Sequence, residues 1–330
     1  MVKRSVAQIT VGETVLTMES KRLMRIRVNL PAEGEAANAT ITVDSTGLAM
    51  PSRGDEVTID LGWDGQGLAR VFKGRIDDVT DNLSRSAGQT FEITARGTDT
   101  LGEVKTTRRR HWDNATVGAI AADLASMSGL TSNVAPDLAG VSVPYFAAID
   151  ESVFQAGTRL ASQVGGHFRI EGDEMLIASK TANYAAVAAA TYGKNLIEYS
   201  ISTIRARNRF GVIVGQYFDR GSSSIKTVEV ETELNSTARY TIQPPAASKE
   251  DAQMRAEAMA ATCARDSSSG TVTIDGGVVI CDGRIVVSGT KSDGEYRVVG
   301  VTHEWSRSGW TTNVSIGLAS QDGGGESADN

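Results

Sequence analysis

The side chains in this 330-residue sequence that could do chemistry are three histidines, two cysteines and several adjacent acidic pairs. A zinc centre needs His or Cys ligands at short, recurring spacings. His111, His167 and His303 each lack a second His or Cys at such a spacing, so each reads as a structural or surface residue. Cys263 and Cys281 form no CxxC and read as small buried thiols in a reducing compartment. Paired carboxylates could act as the acid and base of a glycosidase, and Asp77-Asp78, Asp150-Glu151 and Asp173-Glu174 are the candidates. Their settings are a strand end, a helix start and a hairpin turn, and a helix N-terminus attracts acid through its dipole alone. The chain has no G-x-S-x-G elbow, no S-x-x-K with its supporting motifs, no Walker-type loop and no G-x-G-x-x-G. The sequence therefore assigns no catalytic residue, no metal site and no cofactor.

Arg108, Arg109 and Arg110 pose a different question, because they precede His111 and Trp112 in KTTRRRHWDNATVGAI. A basic-aromatic patch could bind nucleic acid, yet the net charge is −7 and aromatics make up only 5%. Phosphate neutralisation and base stacking call for the opposite balance. A strand of arginines alternates its side chains between two faces, so the triplet is expected at a seam between domains or subunits, against carboxylates.

Three blocks must position these residues. Hydrophobic content of 40% with 22% charged residues is that of a globular chain. No apolar run approaches the roughly 20 residues that span a bilayer. The opening MVKRSVAQITVGETVL is interrupted by Gln8, Thr10 and Glu13, and reads as a first strand rather than a secretory signal. Residues 1–105 show period-two alternation at Met24, Ile26, Val28 and Leu30, at Ile41 and Val43, and at Val57, Ile59, Leu61 and Trp63. Short turn clusters between these runs predict a first β-barrel-like domain.

Over 106–190 the period becomes helical. Val117, Ile120, Ala121 and Leu124 share one face, with Asn114 or Thr116 as cap and Gly129 as stop. A second helix starts at Asp150 or Ser152 and turns Phe154, Gly157, Leu160, Ala161 and Val164 inward. HFRI and EMLIA then form a hairpin, completing a small α+β domain. Residues 191–319 return to strands as a second barrel-like domain, with a helical insertion at 248–266. Ser248 and Asp251 stand at capping-box spacing, and Ala252, Ala256, Met259, Ala260 and Cys263 form a narrow stripe suited to close packing on a sheet. Residues 320–330 read as a flexible polar tail. The fold class expected is mainly β, with two barrel-like tube domains flanking a helix-helix-hairpin insert.

With these segments laid out, the chain resembles the phage late control D family, the tail or baseplate hub proteins of contractile-tailed phages. The resemblance runs in order through FKGRIDDV (72–79), TFEITARGTDTLGEVKTTRRRHWDNATVGAIAADLASMSGL (90–130), VSVPYFAAIDESVFQAGTRLASQVGGHFRIEGDEMLIA (141–178), the Ala-rich helix and DGEYRVVGVTHEWSRSGWTTNVSIGLA (293–319). It implies a structural protein without catalytic residues. It also implies a homotrimer whose paired tube-like domains form a pseudo-six-fold ring between a hexameric tail tube and a trimeric spike. The spike is expected as a separate polypeptide. Other baseplate proteins are further expected partners, with no membrane and no specific nucleic-acid binding. The setting is a virion tail baseplate, assembled in the host cytoplasm, and the ring lumen is expected to be acidic or neutral. The competing readings are a peptidoglycan-binding module, for which Trp112, Tyr145, Phe146 and Phe168 are the aromatic candidates, and a hub-borne cell-wall hydrolase. A hub of a phage-derived bacteriocin or injection system remains a variant of the structural reading.

Overall fold

The computed structural model describes residues 3–31, 36–86, 88–98, 103–179, 186–202, 209–232, 234, 236–265 and 269–318, and the expected tail at 320–330 lies outside them. The first block forms β1 (Ser5–Val11), β2 (Thr14–Thr17), β3 (Leu23–Pro31), β4 (Asn38–Asp44), β5 (Glu56–Trp63), β6 (Gly67–Ser84) and β7 (Gly88–Arg96). Alternation places Ile26, Val28, Ile41, Val43, Ile59 and Leu61 in one core, as the period-two reading requires. Met24 departs from it: the β3–β4 register shifts between Leu23 and Arg25, and the bulge puts Leu23 into the core instead.

The middle of the chain contributes β8 (Arg108–Thr116), α1 (Val117–Ser126), β9 (Thr131–Val134), α2 (Pro136–Ala139), β10 (Ser142–Glu151), α3 (Val153–Gln163), β11 (Gly166–Glu171) and β12 (Glu174–Ser179). The remainder forms β13 (Ala186–Thr191), β14 (Leu196–Ser202), β15 (Val212–Asp219), β16 (Ser224–Glu231), β17 (Arg239–Thr241), α4 (Lys249–Arg265), β18 (Ser269–Asp275), β19 (Arg284–Ser288), β20 (Gly294–Ser306) and β21 (Gly309–Leu318).

The strands of the two outer blocks are joined. Thirteen of them form one open sheet in the order β14-β18-β21-β20-β3-β4-β7-β6-β5-β1-β2, with β19 on β20 and β13 on β19. The joint is the antiparallel pairing of β20 with β3, from Gly300↔Pro31 to Ser306↔Arg25. It carries Trp305 and Trp310 into the core of the first block, nearly three hundred residues away in sequence. A second core, built on Val272, Ile285, Val287, Val298, Val301 and Val314, fills the third block. β13, which lies in the stretch the sequence reading gives to the middle domain, pairs in parallel with β19 of the third block.

The two blocks repeat one pattern. In the first, the strand path is β1-β5-β6-β7-β4-β3; in the third it is β13-β19-β20-β21-β18-β14. The bulge between Leu23 and Arg25 on β3 has its counterpart between Leu196 and Glu198 on β14. The bulge between Ile76 and Asp78 on β6 recurs between Val298 and Gly300 on β20. The long hairpins close at Ser84↔Gly88 and Ser306↔Gly309. One step from each closing pair stand Leu83↔Gln89 and Trp305↔Trp310, so Leu83 occupies the position of Trp305. By the same count Tyr199, opposite Val272, occupies the position of Ile26, opposite Ile41. The β1–β5 pairing is antiparallel and the β13–β19 pairing parallel, which is where the two copies part.

The α+β unit has its own core, where α1 and α3 cover the β11–β12 hairpin. Thr116 caps α1 by accepting from the Ala119 amide, and Ser152 with Gln155 makes a full capping box on α3. Val117, Ile120, Leu124, Leu160 and Val164 all lie in this core, with Phe154 packed against it. Gly157 is required for the close approach of α3 to β11: a β-carbon there would lie 2.3 Å from the Phe168 ring. The helical insertion is part of a larger unit, in which α4 packs on a separate sheet ordered β16-β15-β17. Ala256 and Cys263 from the small-residue stripe meet Ile213 there, and Asp251 receives the Ser248 cap and pairs with Arg255 at 2.8 Å.

Leu160 is fully buried. Leu160→Ala should therefore lower unfolding free energy by about 2–5 kcal/mol in a denaturant titration, whereas a solvent-facing position would change it by less than about 0.5 kcal/mol.

Candidate functional site

The α+β unit is fastened to the sheet by a buried charge cluster. β11 presents His167 and Arg169 on one face, as period two dictates. Opposite them, Asp282 sits in the turn before β19 with φ 68°, held by its amide donating to the Val298 carbonyl at 3.0 Å. Asp282 Oδ2 meets His167 Nε2 at 2.7 Å and also pairs with Arg169, while Oδ1 accepts from Arg297 Nη2 at 2.8 Å. The same Arg297 nitrogen lies 3.3 Å from His167 Nδ1. Arg297 can only donate, so any hydrogen bond in that contact runs from its guanidinium to the ring nitrogen. Burial opposes ionisation of Asp282, but His167, Arg169 and Arg297 together outweigh it and hold the carboxyl below its ordinary 3.8.

His303 is also buried, on β20 beside Trp310. Its Nδ1 lies 3.0 Å from Thr312 Oγ1, and that hydroxyl is 2.9 Å from the Gly277 carbonyl and 3.1 Å from the Gly277 amide. The hydroxyl proton goes to the carbonyl, so Nδ1 of His303 donates to Oγ1. Nε2 is left without a hydrogen-bond partner among the described residues. Burial pushes the imidazole pKa down to about 4. Nearby, Trp63 Nε1 donates to the Gly276 carbonyl at 2.7 Å and ties the first block to the third. Gly276 must be glycine because a β-carbon would lie 2.1 Å from Trp310. A cleft of about 360 Å³ opens where all three blocks meet, lined by Phe72 and Lys73, by Arg169 and Ile170, and by Ile280 and His303.

The arginines lie on β8, which among the described residues pairs only with β10, in a two-stranded ribbon. Arg108 pairs with Glu103. Arg109 makes a two-pronged contact with Asp150 at 2.8 and 2.6 Å, and Arg110 reaches Asp123 at 2.6 Å. Asp123 also accepts from Trp112 Nε1 at 2.9 Å. Each arginine of the triplet thus meets an acid of its own chain. The Arg109–Asp150 fork is exposed, so it orders the ribbon more than it stabilises the fold. On the ribbon's outer face Tyr145 and Ile149 are exposed, and His111 stacks on Tyr145.

The acidic pairs are used locally. Asp77 accepts from Arg53 and Arg96, Glu151 from Arg159, and Glu174 stands opposite Thr131 in the β9–β12 pairing. Among the described residues, no three His, Cys, Asp or Glu side chains converge as a metal site, and no helix is long and apolar enough to cross a membrane. Cys263 and Cys281 are buried, and Cys281 Sγ donates to the Leu30 carbonyl at 3.0 Å. The sequence reading treated His167 and His303 singly and passed over Asp282, Arg169 and Arg297. No local signal marks that cluster, because its members meet only when β11 docks on the third block.

Two measurements test these joints. Asp282→Ala leaves buried cations without their counter-charge and should cost about 3–5 kcal/mol in denaturant unfolding. His303 protonates more readily unfolded than folded, so its contribution is complete above its ordinary value of 6.5 and is lost as pH falls toward its folded value of about 4. Across that window it should remove about 3 kcal/mol of stability, and His303→Phe should flatten the stability–pH slope between pH 6.5 and 4 relative to the unchanged chain.

Comparison with known proteins converges on one group. A probable baseplate hub protein of Escherichia phage P2 is 33% identical over 161 residues, covering 48% of this chain and 40% of the relative. The chain thus matches well under half the length of that curated relative. The 43 kDa tail protein of prophage MuSo2 from Shewanella oneidensis superposes with a TM-score of 0.75 at 16% identity, covering 96% of this chain and 99% of the other. The tail protein from Neisseria meningitidis MC58 gives 0.73 at 18% identity, with 97% of each chain covered. These two likenesses establish the fold. The phage tail baseplate hub (GPD) family model matches residues 35–309, and the chain belongs to that family.

Proposed function

We propose that this chain is a structural, non-enzymatic hub subunit of a contractile tail, joining the tail tube to a separate trimeric spike as a homotrimer. The observation that carries the reading is the internal repeat: two copies of one strand path, with bulges at matching positions, lie side by side in a single sheet. Three such chains supply six like positions for a hexameric tube while keeping the three-fold symmetry of a spike. The first and third blocks alternate around the ring, and the middle domain stands outside it within reach of other baseplate proteins. The Arg108–Arg110 ribbon, with Tyr145 and Ile149 exposed on its outer face, is the seam offered to a neighbouring subunit or domain. A non-enzymatic role is supported by the histidines and acidic pairs above, whose contacts are structural. The polar face of the sheet lines the lumen. Across the β3–β20 joint Glu304 offsets Arg25 and Arg27, at 3.6 and 3.4 Å. One acid against two arginines leaves a single cation in excess at that joint, but the chain as a whole, at net charge −7, has no excess of cations to hold DNA. The location that follows is the virion tail, after assembly in the host cytoplasm.

The test is native mass spectrometry of the chain with its tail partners. Three copies per complex are expected, and any other stoichiometry overturns the ring.

A further inference from the structure

The internal repeat leaves one half of the sheet finished and the other half open. In the finished half, the distal part of β20 is flanked by β21 on one side and β3 on the other. Its counterpart, the distal part of β6 from Asp78 to Ser84, has β7 on one side and no strand on the other among the described residues. At the far end of the sheet β14, the counterpart of β3, pairs among the described residues with β18 alone. Side chains register the difference. Trp305 and Ile26 are 1% and 0% exposed, while Leu83 and Tyr199, in the same positions of the repeat, are 79% and 36% exposed. An open edge carrying apolar side chains on its core-facing side is a template for another strand.

We propose that the open edge of β6 in one copy pairs antiparallel with the open edge of β14 in a second copy, in the register that β20 and β3 use within one chain. Within the chain Trp305 stands opposite Ile26, Glu304 opposite Arg27 and His303 opposite Val28. Transferring those positions through the repeat sets Leu83 opposite Tyr199, Asn82 opposite Ser200 and Asp81 opposite Ile201 of the neighbour. Leu83 and Tyr199 then meet as an aliphatic–aromatic cross-strand pair on the core side. No charge faces a like charge in this register. The strand directions need no adjustment, because β6 and β14 repeat the orientations of β20 and β3. Every joint in the assembly becomes the same joint, alternately within a chain and between chains. The proposal rests on the ring reading for the identity of the partner, a second copy of this chain; the register comes from the repeat alone.

The test is a full-length chain carrying Leu83→Cys and Tyr199→Cys, oxidised at a concentration where native mass spectrometry shows the oligomer. Residues opposed in antiparallel strands lie within disulfide reach. Reducible bands at multiples of the chain mass are expected from the double variant and from neither single one. A pair displaced by two positions, Leu83→Cys with Ile197→Cys, should cross-link far less. Equal cross-linking by the displaced pair, or an oligomer of three that gives no 83–199 band, overturns this register and leaves the ring reading standing. A stoichiometry other than three with the 83–199 band present does the reverse. A chain that stays monomeric at its highest soluble concentration overturns the pairing outright. As an independent readout, Leu83→Asp should leave the monomer folded by circular dichroism and weaken assembly about tenfold or more; unchanged assembly counts against the proposal.

Discussion

Backbone amides and carbonyls of β3 and β20 meet from opposite ends of the sequence, and that antiparallel ladder decides where most of the molecule sits. It makes a single sheet of two strand blocks that composition and periodicity treat as separate. It brings Trp305 and Trp310 under the first block, so that one core is built from both ends of the chain. It also sets the polar face, where Glu304 on one strand lies near Arg25 and Arg27 on the other. Ladder hydrogen bonds carry no side-chain code, so the specificity of this joint comes from the apolar residues beneath it: Ile26, Val28 and Trp305.

The α+β unit is attached by different physics. Apolar contact fixes the outer blocks to each other, whereas His167, Arg169, Arg297 and Asp282 lock the hairpin onto the third block through directional bonds. A buried ionic cluster contributes less net stability than its contacts suggest, because desolvation offsets much of the attraction. Its geometric demand is strict, though, since each partner must arrive within hydrogen-bond distance. Such a joint suits a part that needs a fixed orientation relative to the sheet that carries it more than it needs tight adhesion.

How much of this was legible in the sequence follows from the range of each interaction. Period-two alternation marked Ile26, Val28, Ile41, Val57 and Ile59 correctly because strand burial is a local pattern. The inward faces of α1 and α3 were equally readable, and their caps were narrowed to two residues each, of which the structure uses Thr116 over Asn114 and Ser152 over Asp150. Met24 failed because a bulge inserts one residue without a compositional mark. The small unit around α4 was seen only as a helix, since β15 and β16 look like any other strands until their pairing is known. The Asp282 cluster and the β3–β20 joint were invisible for a common reason: each depends on segments more than a hundred residues apart. Family resemblance reached the family assignment that local physics could not.

The sharing of one core between the chain's two ends has a consequence for synthesis. Residues emerge from the ribosome in order, so the first block is complete in sequence long before β20 and β21 exist. Until then the pocket filled by Trp305 and Trp310 is empty, and the edge of β3 has no partner. Closing a loop that spans nearly the whole chain adds entropy cost only slowly with length, but the search for that contact is slow. The nascent first block must therefore wait half-built, exposing the strand edge that its own C-terminal segment will cover. During that interval the open edge of β3 is a template for a foreign strand, so the first block is most prone to mispairing before its own C-terminal segment arrives.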